Sequence, residues 1–128
     1  MMGIKGKGAK IIEIPPMDLK QYGALPYEKV KLFRFRIRGL ESPRAGSFLQ
    51  YNLLLVPSVI AAFVDHKTSE CFVATGAKED KESVRKIING LPVYSASEFL
   101  KYEADIEDEE EIYYEDILKK RFNLEFIG

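Results

Sequence analysis

The chain of 128 residues is 46% hydrophobic and 30% charged, a balance that excludes intrinsic disorder and predicts one soluble globular domain. Its single cysteine, Cys71, excludes an internal disulfide and favours a reducing, cytoplasmic compartment. The net charge of −1 conceals two opposite blocks, because residues 1–44 carry ten Lys/Arg and four Asp/Glu, whereas residues 103–128 carry three and ten.

The first 28 residues predict an N-terminal arm ahead of the folded core. Residues 1–8 are rich in glycine and lysine, which is typical of a loose segment, and no apolar signal-peptide region follows them. Ala9–Ile14 has the composition of a short strand. Pro15 and Pro16 would end that strand, because proline has no amide donor for a ladder.

The segment Lys29–Arg38 has the strongest strand pattern in the chain. Its alternating residues form two sets, which are Phe33, Phe35 and Ile37 in one and Arg34, Arg36 and Arg38 in the other. Successive side chains of a strand point to opposite faces. The segment therefore predicts a strand with an apolar face and an arginine face, and we expect it at the centre of the sheet.

A helix start follows at Ser42 and Pro43, since serine is a favoured N-cap and proline fits the first helical position. We expect a helix from Pro43 to about Leu55. The same residues also fit a buried strand over Phe48–Val56, so a mostly-β domain is the alternative fold. Ala45–Val64 is free of charge and as long as a membrane span, but its polar residues and its proline favour a buried helix and strand instead.

The middle of the chain predicts a hairpin, a helix and a further strand. Val59–Asp65 and Cys71–Thr75 are rich in β-branched and aromatic residues, and the polar stretch between them is typical of a turn. Lys78–Asn89 predicts an amphipathic helix, because its apolar residues recur at helical spacing. Leu91–Tyr94 fits a short closing strand.

The last third of the chain is rich in acidic residues. A short helix is expected over Glu98–Tyr102, and the charge run Glu103–Glu111 predicts a solvated linker or helix start. A terminal helix to about Arg121 follows. Three apolar residues then alternate with polar ones and predict a short strand that could dock on a partner: Phe122, Leu124 and Phe126.

From Lys29 to Tyr94 the expected order is strand, helix, strand, strand, helix, strand. This order resembles the ferredoxin-like βαββαβ sandwich, a resemblance of topology that no sequence motif carries. The sequence thus predicts an α+β protein with a single domain over residues 1–128. Within it, residues 1–28 form the arm, residues 29–95 the α/β core and residues 96–128 an acidic C-terminal extension.

The arginine face is the main candidate for a binding surface. Arg34, Arg36 and Arg38, with Arg44 close in sequence, could neutralise phosphates. The aromatic residues on which ferredoxin-like sheets stack RNA bases are missing, however. Carboxylates of another subunit or of the acidic tail would satisfy the same arginines, and the tail could mask them in its own chain or in a neighbour.

The sequence contains no motif that predicts catalysis or a cofactor. His66 is the only histidine, so a multi-histidine metal site is excluded within one chain, and the acidic run lacks the glycine and spacing of an EF-hand. A Cys71/His66 dyad across the hairpin is a remote enzyme hypothesis, because no third orienting group is evident.

The sequence favours a non-catalytic binding or assembly module. Opposite charge blocks and an apolar tail suit an accessory or structural subunit of a larger complex or a homo-oligomer. A nucleic-acid-binding protein that uses the arginine face is the alternative. Neither a membrane contact nor a metal is expected, and abundant Lys and Glu without Trp resemble a thermophilic composition.

Overall fold

The computed structural model describes residues 11–20, 28–94 and 101–127. Most of the expected N-terminal arm therefore lies outside the described residues, as does most of the helix expected over Glu98–Tyr102. Of that helix, residues 101 and 102 are described and are not helical.

Over these described residues the protein is an α+β structure in which an open, antiparallel sheet of five strands combines with three helices. The strands are β1 (Asp18–Leu19), β2 (Lys29–Arg38), β3 (Val59–Asp65), β4 (Glu70–Thr75) and β5 (Glu103–Tyr113). The helices are α1 (Pro43–Leu54), α2 (Lys81–Gly90) and α3 (Tyr114–Ile127). The strand order across the sheet is β1-β3-β4-β2-β5, which places β2 inside the sheet and β5 at one edge.

The two faces of the sheet bury two separate hydrophobic clusters. On the face covered by α1 and α2, Phe33, Phe35 and Ile37 of β2 pack with residues such as Leu49 and Ile88, which confirms the expected apolar face of this strand. On the opposite face, Val30 and Leu32 of β2 pack with residues from the segment 12–19 and from α3. Both faces are therefore covered near the start of β2, and the arginines follow further along the opposite face.

Helix α1 begins as the sequence predicts. The Ser42 side chain accepts a hydrogen bond from the amide of Ala45, and Pro43 opens the helix. The expected helix is present, and the alternative of a strand over Phe48–Val56 in a mostly-β domain is wrong, because the apolar Leu49 and Leu53 are spaced to bury one helical face against β3. The charge-free Ala45–Val64 segment is divided between this helix and β3, and no helix in the described part of the chain is long and apolar enough to cross a membrane.

Helix α2 begins three residues later than expected, at Lys81. The Asp80 side chain accepts a hydrogen bond from the amide of Ser83 and is the N-cap, so Lys78 and Glu79 belong to the preceding turn. The expected apolar stripe is present, with Val84 and Ile88 buried.

Three predicted elements are wrong. Within Ala9–Ile14, the described residues 11–14 form no strand, because Ile12 and Ile14 pack onto a face of the sheet instead of joining an edge. Leu91–Tyr94 is not the closing strand, and the acidic run expected to be a linker takes that place as β5. The expected strand at Phe122–Phe126 is the last part of α3, which contains no proline or glycine that would end it earlier.

A β-bulge explains why the sequence of β5 conceals its strand pattern. Ile106 pairs with Phe35 and Asp108 pairs with Arg34, so Glu107 is an extra residue with no opposite residue in the backbone register of β2. Ala104 and Ile106 consequently pack on the α1/α2 face, whereas Ile112, an even number of residues further on, is buried on the opposite face. Strict alternation would have put all three on one face.

Candidate interaction surface

The arginines of β2 face carboxylates of their own chain. Alternate residues of β2 and β5 lie opposite each other on the same face, so Arg34 is paired with Asp108, Arg36 with Asp105 and Arg38 with Glu103. The hairpin side supplies a further carboxylate, because Glu70 of β4 lies opposite Arg36. The masking of the arginine face by the acidic run, raised from the sequence, occurs here within one chain.

The contacts form a cluster of two arginines and three carboxylates. The guanidinium of Arg34 donates a hydrogen bond to Asp108, and its Nε lies 3.4 Å from Glu107 and 3.8 Å from Glu70. Arg36 Nε donates to Glu107 over 3.0 Å, and its Nη1 donates to the Thr68 carbonyl over 3.1 Å. Glu107 thus bridges both arginines, which it can reach because the bulge turns it onto this face.

Exposure of the arginines increases along the strand. The Arg34 side chain is 32% exposed, Arg36 55% and Arg38 66%. Arg38 contacts Glu103 over 3.2 Å in an outer ion pair. The arginine face therefore has a partly buried, neutralised inner part and a solvated outer end.

Arg44 does not join this surface. It lies at the start of α1, the helix that covers the other face of the sheet. A hydrogen bond to the side chain of Tyr94 raises the pKa of Arg44, and this side chain is fully exposed. The side chains of the expected docking tail, Phe122, Leu124 and Phe126, lie beyond the part of α3 whose side chains are described, so their docking role stays a prediction.

The candidate nucleophile Cys71 is buried in the core. Its side chain is inaccessible to solvent, and this burial raises the pKa of the thiol far above its usual range, so the reactive thiolate does not form near neutral pH. His66 lies in the β3–β4 hairpin, where its Cβ is close to Gly46 of α1. The described residues contain no group of three or more side chains suited to hold a metal ion.

Two open grooves lie apart from these residues. One of about 510 Å³ separates residues 11–14 from Asp116, Lys119 and Lys120 of α3. The other, of about 380 Å³, lies beside the loop of residues 76–79 and the start of β2. Neither is lined by Cys71, His66 or the arginines of β2, so neither brings a candidate catalytic residue together with a cavity.

Comparison with protein-family models, with curated proteins and with solved structures finds no significant match to this chain. The site must therefore be interpreted from its own geometry.

The outer edge of β5, meaning the backbone edge that faces away from β2, is an open edge of the sheet. Within residues 11–20, 28–94 and 101–127, no strand pairs with it. The Tyr114 amide donates to the Glu28 carbonyl, so the backbone groups of Tyr114 point towards β2. Successive residues of a strand direct their amides to opposite sides, so the amides of Asp108, Glu110 and Ile112 also point to β2. The residues between them, Glu109, Glu111 and Tyr113, direct theirs outwards.

The other end of this edge is closed by α2. The amide of Ala104 also points away from β2, and it donates a hydrogen bond of 2.9 Å to the Asn89 side chain. The open stretch therefore begins at Ile106 and ends at Tyr113. Sequence reasoning missed it because a run of carboxylates resembles a solvated linker. The apolar Ala104, Ile106 and Ile112 within and beside the run were the available signal.

Proposed function

We propose that the protein is a non-catalytic module that binds another polypeptide by adding a strand to the outer edge of β5, as an accessory or structural subunit of an assembly. A sheet edge offers unpaired amides and carbonyls to an extended segment, and such strand addition is a common mode of protein recognition. The observation that carries the proposal is the open stretch from Ile106 to Tyr113 on an eleven-residue strand.

Two features of the surroundings support this use of the edge. Strand β5 is held firmly on its inner side, where its pairing with β2 runs from Glu103 to Tyr113. Its opposite faces are anchored by Ala104 and Ile112, both buried. The edge is thus a rigid template, which lowers the conformational entropy lost when a partner strand is ordered on it.

The proposal is tested by the mass of the protein purified from its native host, measured by size-exclusion chromatography with light scattering. We expect an assembly heavier than the 14.6 kDa chain. Glu111→Pro should return it to the monomer, because proline removes an outward amide and leaves the β2 ladder intact. Glu111→Ala, which removes the same carboxylate and keeps the amide, should preserve the assembly. A heavier species that is unchanged in Glu111→Pro would contradict strand addition at this edge.

The nucleic-acid alternative would use the outer end of the arginine face. The inner arginines are matched by Glu107, Asp108 and Glu70, so only Arg38 and part of Arg36 present charge to a phosphate. No observation favours this function over strand addition. Its test is the salt dependence of binding to a generic RNA or DNA probe.

We also propose that β2 to β5 with α1 and α2 form a variant of the ferredoxin-like arrangement. In this variant Glu103–Tyr113 takes the position expected for Leu91–Tyr94, and the additional strand β1 extends the other edge. The support is that β5 and β4 flank β2 and that α1 and α2 cover one face. Nuclear Overhauser effects between the α-protons of opposite residues test this order, beginning with Ile37 and Ala104.

A further inference from the structure

The side chains of β5 restrict which strand can be added at its outer edge. The strand carries seven carboxylates and no basic residue. Two copies of β5 that paired with each other would place these carboxylates side by side, and like charges opposite each other destabilise a pair of strands. Self-association through this edge is therefore disfavoured.

The cations of the paired strand β2 do not cancel this charge. On the strand that pairs with β5, Lys29, Lys31 and the three arginines supply five positive charges. They face the seven carboxylates of β5 and Glu70 of β4, which leaves an excess of three negative charges. The excess lies on the arginine face of the strand. On the other face Glu109 and Glu111 are matched by Lys31 and Lys29, whereas the remaining six carboxylates, including Asp108 and Glu110, share a face with only three arginines.

We propose that the occupant of this edge is an extended segment of another protein in which Lys or Arg alternates with β-branched residues. This inference rests on the proposed function and specifies the chemistry of its partner. The alternation matters because a strand presents every second residue to the same face. Basic residues in register would meet Asp108 and Glu110 on the arginine face, where the excess negative charge lies, and the β-branched residues would lie on the other face.

The aromatic ring of Tyr113 fits the same partner. It is 47% exposed at the end of the open stretch, and Lys29 Nζ already lies 5.4 Å from its ring centre. Because Tyr113 lies on the same face as Glu109 and Glu111, its ring can pack against the β-branched side chains that an added strand presents to that face.

The test uses a synthetic peptide of about eight residues in which Lys and Val alternate, titrated into the ¹⁵N-labelled full-length protein. Two further peptides serve as controls: one in which Thr replaces Lys, and one in which Glu replaces it. We expect the Lys peptide to bind at least about tenfold more tightly than the Thr peptide and to weaken with salt, and the Glu peptide not to bind.

The site of binding is read from amide hydrogen exchange. The amides of Glu109, Glu111 and Tyr113 should become protected in the complex, and Glu111→Pro should abolish the protection whereas Glu111→Ala should reduce affinity only modestly. A version of the Lys peptide with methylated backbone nitrogens keeps the charge but cannot complete the ladder, so it should not bind at this edge.

The outcomes separate the inference from the proposed function. Equal protection of these amides by the Thr and Lys peptides would overturn the basic partner and leave strand addition standing. Protection by no peptide, together with a native-host assembly that survives Glu111→Pro, would overturn both. Binding of the Lys peptide without protection of the outward amides would show contact with surface carboxylates only, and would also overturn the proposal. If the protein forms a homo-oligomer that is lost when residues 1–10 are deleted, the edge would be assigned to the N-terminal arm of a second copy, and the basic partner would be overturned.

Discussion

The guanidinium of Arg34 donates a hydrogen bond to the carboxylate of Asp108, its opposite residue across β2 and β5. This pair lies beside the bulge, and Glu107 and Glu70 complete the ring of carboxylates around Arg34. The most basic and the most acidic segments of the chain are therefore neighbouring strands, and the interaction that joins them also defines the edge that we propose as the binding surface.

Replacement of Arg34 tests the contribution of this cluster to stability. Arg34→Met should lower the free energy of unfolding by about 1–2 kcal/mol, because three partly buried carboxylates lose their shared cation. The solvated pair of Arg38 and Glu103 is the matched control, and Arg38→Met should cost at most about 1 kcal/mol. Urea denaturation of the two variants measures both values. A larger loss in Arg38→Met would contradict the assignment of Arg34 to the inner cluster.

Deletion of the bulge residue tests the register of β5. Without Glu107, Ile106 and Asp108 still lie opposite Phe35 and Arg34, so the strand should fold with a loss of about 1–2 kcal/mol from the missing ion pairs. Deletion of Asp105 removes a similar charge but turns either Ile106 or Ala104 to the wrong face. That deletion should cost more than about 4 kcal/mol or prevent folding. Equal stability of the two deletion variants, by thermal denaturation, would refute the bulge.

The buried thiol of Cys71 predicts a loss of stability at alkaline pH. Burial raises the pKa of the thiol, so the folded protein keeps a proton that the unfolded chain releases above about pH 8.5. The free energy of unfolding is therefore unaffected by the titration of this thiol below that pH. Above it, the free energy of unfolding declines by up to about 1.4 kcal/mol per pH unit. Cys71→Ala should remove this slope between about pH 8 and 10. Identical slopes in the two proteins would show that the thiol titrates while folded.

The N-cap of α2 gives a local test. Asp80→Ala should lower the free energy of unfolding by about 1 kcal/mol, because the Ser83 amide loses its acceptor. Asp80→Asn retains an acceptor oxygen and should lose much less. If chemical denaturation gives the same loss for both variants, the cap does not stabilise the helix through this hydrogen bond.

The sequence predicted the elements whose patterns are local. Lys29–Arg38 alternates over its whole length, and Ser42 with Pro43 marks a helix start, so β2 and the beginning of α1 are as expected. Strand β2 lies inside the sheet, but its outer neighbour is β5 and not the expected Leu91–Tyr94. The apolar residues of α2 recur at helical spacing, so this helix was expected. It begins at Lys81 and not at Lys78, because Asp80 is the N-cap.

The strand β5 and its edge, which the sequence did not predict, depend on contacts between residues that are distant in sequence. The carboxylates of Glu107 and Asp108 are neutralised by arginines more than 70 positions earlier, as the Arg34–Asp108 separation shows. The acidic run forms a strand only because it pairs with the arginines of β2. The bulge at Glu107 also changes which face each residue occupies, and no local pattern announces it. The sequence therefore placed the binding hypothesis at the arginines, which this pairing largely neutralises, and not at the edge of β5 that we propose.

The most direct test of the account is amide hydrogen exchange across β5 in the isolated monomer, measured by NMR. We predict alternation, with slow exchange at Asp108, Glu110 and Ile112, whose amides face β2, and fast exchange at Glu109, Glu111 and Tyr113, whose amides face outwards. Uniformly fast exchange from residue 108 to residue 113 would show that the acidic run is not a strand. Uniformly slow exchange would show that the outer edge is already occupied, and either result would contradict an open β5 edge as the binding surface.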